Sequence, residues 1–146
     1  MTDELSNLVI SSDCAGVDWQ ALTDLIRRAP LGDRPVALTE RVFTGSYLCV
    51  FAYSDGRLVG AARAISDGVT SSAIYDVVVD PDYQGRGIGK QVMLFMLERL
   101  PKTSVMLVSV ARHQAFYRRL GFKKLTTAYM LKESFESWLR DGYFEE

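Results

Sequence analysis

The spacing of apolar residues predicts a strand and two helices in the first third of the chain. Residues 5–10, LSNLVI, have the pattern of a short strand. Apolar residues then recur at helical spacing between Asp18, a good N-cap, and Pro30, which ends the helix. A second short helix is predicted over 35–44, where a proline opens it and Gly45 closes it.

The pattern then changes to strands. Runs at 47–53 and 57–66 flank Ser-Asp-Gly, a strong short hairpin signal, and 72–79 predicts a third strand that ends in valines. A Gly-rich loop follows. The next predicted element is a helix that begins near Ile88 and that Pro101 ends.

The last third of the chain predicts a strand at 104–110 and a short helix at 112–120. The segments from Phe122 onward and at 129–131 predict a closing hairpin. The tail, 133–146, holds too many aromatic residues for a free end. We expect it to form a short helix, packed on the body of the protein or on a partner chain in a homodimer.

The composition is typical of one soluble globular domain. The 146 residues, 48% apolar and 24% charged, predict a single domain over 1–146 with its own core. Seventeen basic and eighteen acidic residues leave a net charge of −1, so no overall field attracts nucleic acid or an anionic membrane. The longest apolar runs are far shorter than the about 20 residues that cross a bilayer.

The first residues and the cysteines indicate a cytoplasmic protein. The sequence MTDELSNLVISSD has no basic n-region, so we expect no signal peptide. Cys14 and Cys49 fit a reducing cytoplasm better than a disulfide framework, and Cys49 is expected to be a buried structural thiol. With one histidine and no Cys-x-x-Cys motif, we expect no metal site.

The Gly-rich loop is the main candidate for ligand binding. Its residues are Gln84, Gly85, Arg86, Gly87, Ile88, Gly89 and Lys90. A loop between a strand and a helix offers unpaired backbone N–H groups and the positive end of the helix dipole, which together bind phosphate. The alternating glycines let a ligand approach the backbone closely. The spacing fits neither a Walker A loop nor the dinucleotide fingerprint.

This loop, directly after a valine-rich strand and Asp80-Pro81, resembles the acetyl-CoA pyrophosphate loop of the GNAT N-acetyltransferase superfamily. The family's second signature, Phe-Tyr-x-x-x-Gly-Phe at the end of a short helix, is matched by residues 116–122. The resemblance covers about residues 45–131. Residues 75–81, YDVVVDP, also resemble the arylalkylamine (serotonin) and glucosamine-phosphate acetyltransferase branches.

The resemblance implies the α+β GNAT fold, also called the acyl-CoA N-acyltransferase fold. Its mixed central sheet has helices on both faces and is splayed between two parallel strands, here 72–79 and 104–110. Acetyl-CoA, the implied co-substrate, would place its pantetheine arm in that opening, against the backbone of Val77, Val78 and Val79. Residues 84–90 would hold the pyrophosphate, and a free N–H in the opening would stabilise the oxyanion.

Two residues are the candidates for proton transfer. Tyr117 matches the family's acid, which contacts the cofactor and protonates the departing CoA thiolate. Asp76 is either the base that deprotonates the amine, an anchor for the acceptor, or a structural partner at the strand end, and a water chain is the alternative base. Strand alternation places Asp76 and Tyr75 on opposite faces of the sheet.

The implied activity is transfer of acetyl from acetyl-CoA to a primary amine of a small molecule, by direct attack in a ternary complex. The branch likeness favours an arylalkylamine or an amino-sugar-like acceptor. One alternative is a protein or peptide N-acetyltransferase. The other is a non-catalytic acyl-CoA-binding sensor domain that uses the same loop.

Overall fold

The structure is a computed structural model that describes residues 7–145. The first strand seen is β1, Leu8–Ser11, and positions 5 and 6 of the predicted strand lie outside the described residues. The chain divides into two compact units, Met1–Leu107 and Val108–Glu146.

The first unit contains one five-stranded mixed sheet. After β1, its strands are β2 (Leu48–Ser54), β3 (Arg57–Ser66), β4 (Ser71–Val79) and β5 (Ser104–Leu107). The strands lie side by side in chain order. Each neighbouring pair is antiparallel except β4 and β5, which are parallel. The predicted mixed sheet with one parallel pair is therefore confirmed.

Three helices accompany the sheet, close to their predicted bounds. They are α1 (Trp19–Arg28), α2 (Val36–Thr44) and α3 (Ile88–Arg99). The side chain of Asp18 accepts a hydrogen bond from the N–H of Ala21 at 3.0 Å, which confirms the predicted N-cap of α1.

Helices cover both faces of the sheet. On one face Phe43 of α2 and Phe51 of β2 are fully buried, with ring centroids 5.8 Å apart, and the ring of Trp19 lies 6.1 Å from that of Phe51. On the other face Ile88 of α3 packs so closely on Gly60 that a Cβ there would lie 3.3 Å from the Ile88 side chain. The expected arrangement of a sheet between helices is thus confirmed.

The pairing of β4 with β5 ends earlier than predicted. The last pair is Ile74 with Leu107, and β5 does not continue to residue 110. Just beyond this pair, the register between β3 and β4 shifts, and Asp76 has a φ of 55°, in the left-handed region. A bulge of this kind bends the strand, so a longer β5 would find no partner. Residues 75–79 of β4 have no strand on the β5 side within the described part of the chain.

The second unit is mostly irregular. A 3₁₀ turn at Ala111–His113 leads into α4 (Gln114–Arg119), so the single helix predicted over 112–120 is divided in two. The predicted closing hairpin is wrong, since residues 120–135 contain no strand. The side chains of Tyr129 and Leu131 are 99% and 91% exposed, so this segment has neither the ladder nor the packed face that a strand needs.

The tail forms the predicted short helix, α5 (Glu136–Arg140). Its aromatic residues pack on one another: the ring of Trp138 lies 4.6 Å from that of Tyr143 and 5.8 Å from that of Phe144. The ammonium group of Lys132 lies 3.9 Å from the Trp138 ring centroid.

Candidate active site

The Gly-rich loop presents unpaired backbone donors at the start of α3. Gly85 and Gly87 have φ values of 80° and 82°, which favour glycine. Gly87 is the N-cap of α3 and makes no side-chain capping bond. Within residues 7–145, no acceptor meets the N–H groups of residues 85–90. Donors left open at a helix N-terminus suit an anionic diphosphate.

The side chains of the loop differ in what they can offer a ligand. Arg86 is exposed, and its guanidinium lies 4.8 Å from the ring centroid of Tyr83. Lys90 is also exposed. Ile88 has its side chain in the core, with 3% of its surface exposed, so only its backbone can face a ligand. The side-chain amide of Gln84 donates to the carbonyl oxygen of Val79 at 3.3 Å, which joins the loop to the strand before it.

The end of β4 has one edge bonded to β3 and the other open. The N–H of Asp80 donates to the carbonyl of Val59 at 2.7 Å, and Val78 pairs with Ala61. Because backbone groups alternate in direction along an antiparallel strand, those of Val79 point to the open edge. Val77 lies at the bulge, between the paired residues Tyr75 and Val78.

Asp80 anchors the point where β4 turns into the loop. Its carboxylate is fully buried and accepts hydrogen bonds from Arg28 at 3.0 and 3.2 Å, from Arg57 at 3.1 Å and from the N–H of Asp82 at 2.9 Å. Burial alone would raise the pKa of Asp80, but the Arg28 and Asp82 hydrogen bonds and the arginine charges outweigh it, so the pKa is lowered. The sequence pointed to this residue only through Asp-Pro, a strand stop.

Asp76 is held by two arginines. Its Oδ1 lies 2.6 Å from Nη2 of Arg34, and its Oδ2 lies 2.7 Å from Nε of Arg63 and 3.2 Å from Nη1 of Arg34. The guanidinium of Arg63 also lies 5.0 Å from the ring centroid of Tyr75. The side chains of Tyr75 and Asp76 therefore both contact the guanidinium group of Arg63. The prediction that they lie on opposite faces of the sheet is wrong. The left-handed residue interrupts the alternation.

Sequence reasoning missed both arginines of this group. Arg34 lies in the connection between α1 and α2, 42 positions before Asp76, and Arg63 lies in the middle of β3. Only the register of β3 against β4 could have indicated Arg63, since it pairs with Tyr75.

Tyr117 lies in the second unit, on α4. It is buried among aromatic residues, with ring centroids 5.0 Å from Phe116 and 5.9 Å from Phe122. Burial raises the pKa of Tyr117 to about 12, because the phenolate would be poorly solvated. A phenol is protonated at neutral pH even at its ordinary pKa of about 10, so Tyr117 has a proton to give, and the raised pKa makes it a weaker acid.

The cysteines are free, and Cys49 is buried as predicted. Its thiol donates to the carbonyl of Phe43 at 2.8 Å. Burial, together with the neighbouring Cys14, raises the pKa of Cys49 to about 12. Among residues 7–145, no three His, Cys, Asp or Glu side chains group as metal ligands. No helix in the same residues has the length and apolar character to cross a membrane.

The site residues correspond to a known family domain. The Acetyltransferase (GNAT) domain model matches residues 45–124, which include the loop and the Phe-Tyr signature. Histone acetyltransferase TAP1 from Glycine max is 33% identical over an alignment of 132 residues that covers 82% of this chain and 57% of TAP1. Serotonin N-acetyltransferase 2, chloroplastic, from Oryza sativa subsp. japonica is 42% identical over an alignment of 114 residues that covers 73% of this chain and 57% of that protein.

The chain spans about half the length of the curated relatives it matches. Among solved structures, glucosamine-6-phosphate N-acetyltransferase from Arabidopsis thaliana has a TM-score of 0.65 at 15% identity, covering 87% of this chain and 99% of that one. This likeness shows a shared fold.

Proposed function

This chain belongs to the GNAT family of acetyltransferases, and we propose that it transfers an acetyl group from acetyl-CoA to a primary amine of a small molecule. The observation that carries the proposal is the open edge of β4 beyond Ile74, next to a loop of unpaired amides at the start of α3. Acetyl-CoA matches both features: the amides of its extended pantetheine arm can pair with a strand edge, and its diphosphate can accept hydrogen bonds from the loop.

In the proposed complex, acetyl-CoA lies along β4. The pantetheine arm lies along Val77–Val79, and the Gln84–Lys90 loop holds the diphosphate. The expectation that Val78 offers its backbone to the arm is not met, because Val78 pairs with Ala61 of β3. Val79 has its backbone groups at the open edge, and Gln84 would exchange its bond to Val79 for one to the ligand. Arg86 and Lys90 add positive charge from exposed positions.

The proposed reaction is direct attack of the neutral amine on the thioester. A proton leaves the ammonium group, and the neutral nitrogen bonds to the carbonyl carbon to form a tetrahedral intermediate. That nitrogen loses a second proton to solvent, and the carbon–sulfur bond then breaks to give the amide and the CoA thiolate. The departing thiolate then takes a proton from the Tyr117 hydroxyl, which is protonated at neutral pH as an ordinary phenol is. The phenol regains its proton from solvent.

For Asp76, the contacts favour the anchoring role over the role of general base. Both carboxylate oxygens accept hydrogen bonds from guanidinium groups, so the carboxylate is already engaged by Arg34 and Arg63. We therefore propose that a water chain removes the proton from the amine. If Asp76 were the base, Asp76→Asn would flatten the acidic limb of the pH–rate profile, and an unaltered limb supports the water chain.

The decisive experiment is a CoA-release screen with acetyl-CoA and a panel of arylalkylamines, polyamines, amino sugars, amino acids and peptides. Turnover with small amines supports the proposal. A preference for peptides would support a protein acceptor, the acceptor class in the name of the soybean relative, histone acetyltransferase TAP1. A blank screen with tight acetyl-CoA binding would instead indicate a sensor domain. Binding itself is measured as a rise in melting temperature with added acetyl-CoA.

The setting of the activity is also a proposal. We propose that both units, residues 1–146, act as one catalytic domain and that the aromatic tail contributes to a homodimer. We place the protein in a reducing compartment, consistent with its two free cysteines. The cytoplasm is the first candidate and the plastid the second, since the rice relative's name is chloroplastic. Imaging of a fluorescent fusion distinguishes the two.

A further inference from the structure

The Arg34–Asp76–Arg63 cluster carries more positive than negative charge. Two guanidinium groups share one carboxylate, which leaves a net charge of +1. Within residues 7–145, no second carboxylate lies within ion-pair distance of either arginine. Partly buried charge is weakly screened by solvent, so this excess acts strongly on a group placed beside it.

The two arginines keep donors for a further partner. Arg34 uses Nη1 and Nη2 for Asp76, and no described residue accepts a hydrogen bond from its Nε. Arg63 uses Nε for Asp76 and Nη1 for the Ser46 hydroxyl at 3.4 Å, while its Nη2 has no acceptor among the described residues. The side chains of Arg34 and Arg63 are 17% and 14% exposed, so solvent and a small ligand can reach them.

The cluster lies where the sheet opens. Asp76 is two positions beyond Ile74, the last residue of β4 that pairs with β5. In the proposed complex the diphosphate lies at residues 84–90 and the pantetheine arm along Val77–Val79, so the thioester would lie at this end of the opening. Beside it, the ring of Tyr75 is 39% exposed and lies against Arg63, and Tyr47, which follows Ser46, is 54% exposed. The surroundings therefore combine excess positive charge with open aromatic surface.

We propose that Arg34 and Arg63 bind an anionic group of the acceptor, so that the preferred substrates are primary amines that also carry a carboxylate or phosphate. Asp76 orients the two guanidinium groups, and their remaining N–H donors form charge-assisted hydrogen bonds to the acceptor's anion. A plain amine gains nothing from a site of net charge +1, because its ammonium group is repelled. This inference rests on the proposed function and specifies its substrate class.

The test uses matched pairs of amines that differ in the anionic group: tryptamine with tryptophan, and glucosamine with glucosamine 6-phosphate. We expect kcat/KM to be at least about tenfold higher for the anionic member of at least one pair. A preference confined to tryptophan identifies a carboxylate site, and one confined to glucosamine 6-phosphate identifies a phosphate site. Equal or better use of both neutral members would overturn the inference.

Variants assign the preference to the cluster. Arg63→Gln should lower kcat/KM about tenfold more for the anionic amine than for its neutral partner, and Arg63→Lys should restore part of that difference. Arg27→Gln is the matched control, since Arg27 also contacts two aspartates, Asp24 and Asp33, but is 52% exposed on α1. The same loss in Arg27→Gln, or no loss in Arg63→Gln, would contradict the proposal.

A binding measurement separates this inference from the proposed function. With CoA present, the anionic amine should raise the melting temperature more than its neutral partner does, and Arg63→Gln should abolish the difference. This result without turnover would overturn the proposed catalysis and retain the anion site. Turnover with equal melting shifts for both members would overturn the anion site alone.

Discussion

Replacement of Asp76 tests whether its backbone conformation and its charge contribute separately to stability. With φ at 55°, Asp76 occupies a conformation that costs a residue with a Cβ about 1–2 kcal/mol, whereas glycine adopts it readily. Asp76→Gly therefore keeps the bulge and removes the carboxylate. Asp76→Ala removes the carboxylate and also disfavours the bulge. Asp76→Asn keeps the backbone conformation, which asparagine tolerates, and removes the charge together with one of the two acceptor oxygens.

The magnitude follows from the burial of the cluster. Loss of one member of a buried ion pair costs about 3–5 kcal/mol. The side chains of Arg34 and Arg63 are 17% and 14% exposed, so solvent screening reduces the expected loss in free energy of unfolding to about 2–3 kcal/mol. Asp76→Ala should lose about 1 kcal/mol more than Asp76→Gly, even after glycine's extra freedom in the unfolded chain is counted.

The assay is urea unfolding followed by circular dichroism, with the free energy of unfolding extrapolated to water. Asp55 supplies the matched control: it has a φ of 49°, is exposed, and forms no ion pair with a described residue. Asp55→Ala should be less stable than Asp55→Gly because of the backbone conformation alone, since neither substitution removes an ion pair with a described residue. If Asp76→Ala is as stable as Asp76→Gly, the strain argument is refuted. If all three Asp76 variants lose no more than the Asp55 variants, the ion pairs contribute nothing.

Four further predictions concern the rest of the site. Tyr117→Phe should lower kcat about 100-fold and leave the acetyl-CoA dissociation constant nearly unchanged, since only the proton donor is lost; unchanged turnover would remove Tyr117 from that role. Asp80→Asn should lower the free energy of unfolding by about 2 kcal/mol at pH 7. The pKa of Asp80 is lower in the folded protein than in the unfolded chain, where it is about 4. The difference in free energy of unfolding between wild type and variant should therefore persist above about pH 4 and shrink as the pH falls below that value. Gly85→Ala should weaken acetyl-CoA binding several-fold in calorimetry: φ is 80° and a Cβ there meets nothing within 4 Å, so only the backbone preference changes. Cys49 should resist iodoacetamide at pH 8 in the native protein, because burial raises its pKa to about 12, and rapid labelling would contradict that burial.

Local signals account for the elements that the sequence predicted well. The Asp18 cap, Gly45 at the end of α2 and the Ser-Asp-Gly hairpin each fix an element through neighbouring residues. The loop at 84–90 was recognisable for the same reason, since consecutive residues build it. The roles predicted for Tyr117 and Asp76 stay predictions until the variants are measured.

Long-range contacts account for what the sequence could not predict. Residues 108–110 have the composition of a strand, but the bulge at Asp76 leaves them no partner on β4. The positive φ of Asp76 could not be predicted, because the alternation of apolar and polar residues in a valine-rich strand does not indicate where a bulge occurs. The arginines that hold Asp76 come from a loop and from another strand, so the charge cluster depends on tertiary structure that spacing does not encode.

The positions of the two tryptophans give each compact unit its own optical reporter. Trp19 packs on Phe43 and Phe51 in the first unit, and Trp138 packs within the aromatic tail of the second. The chain has two tryptophans in all, so Trp19→Phe and Trp138→Phe each leave a single emitter. Tryptophan fluorescence of each variant can therefore report the unfolding of one compact unit, or its change on ligand binding, without tryptophan emission from the other unit.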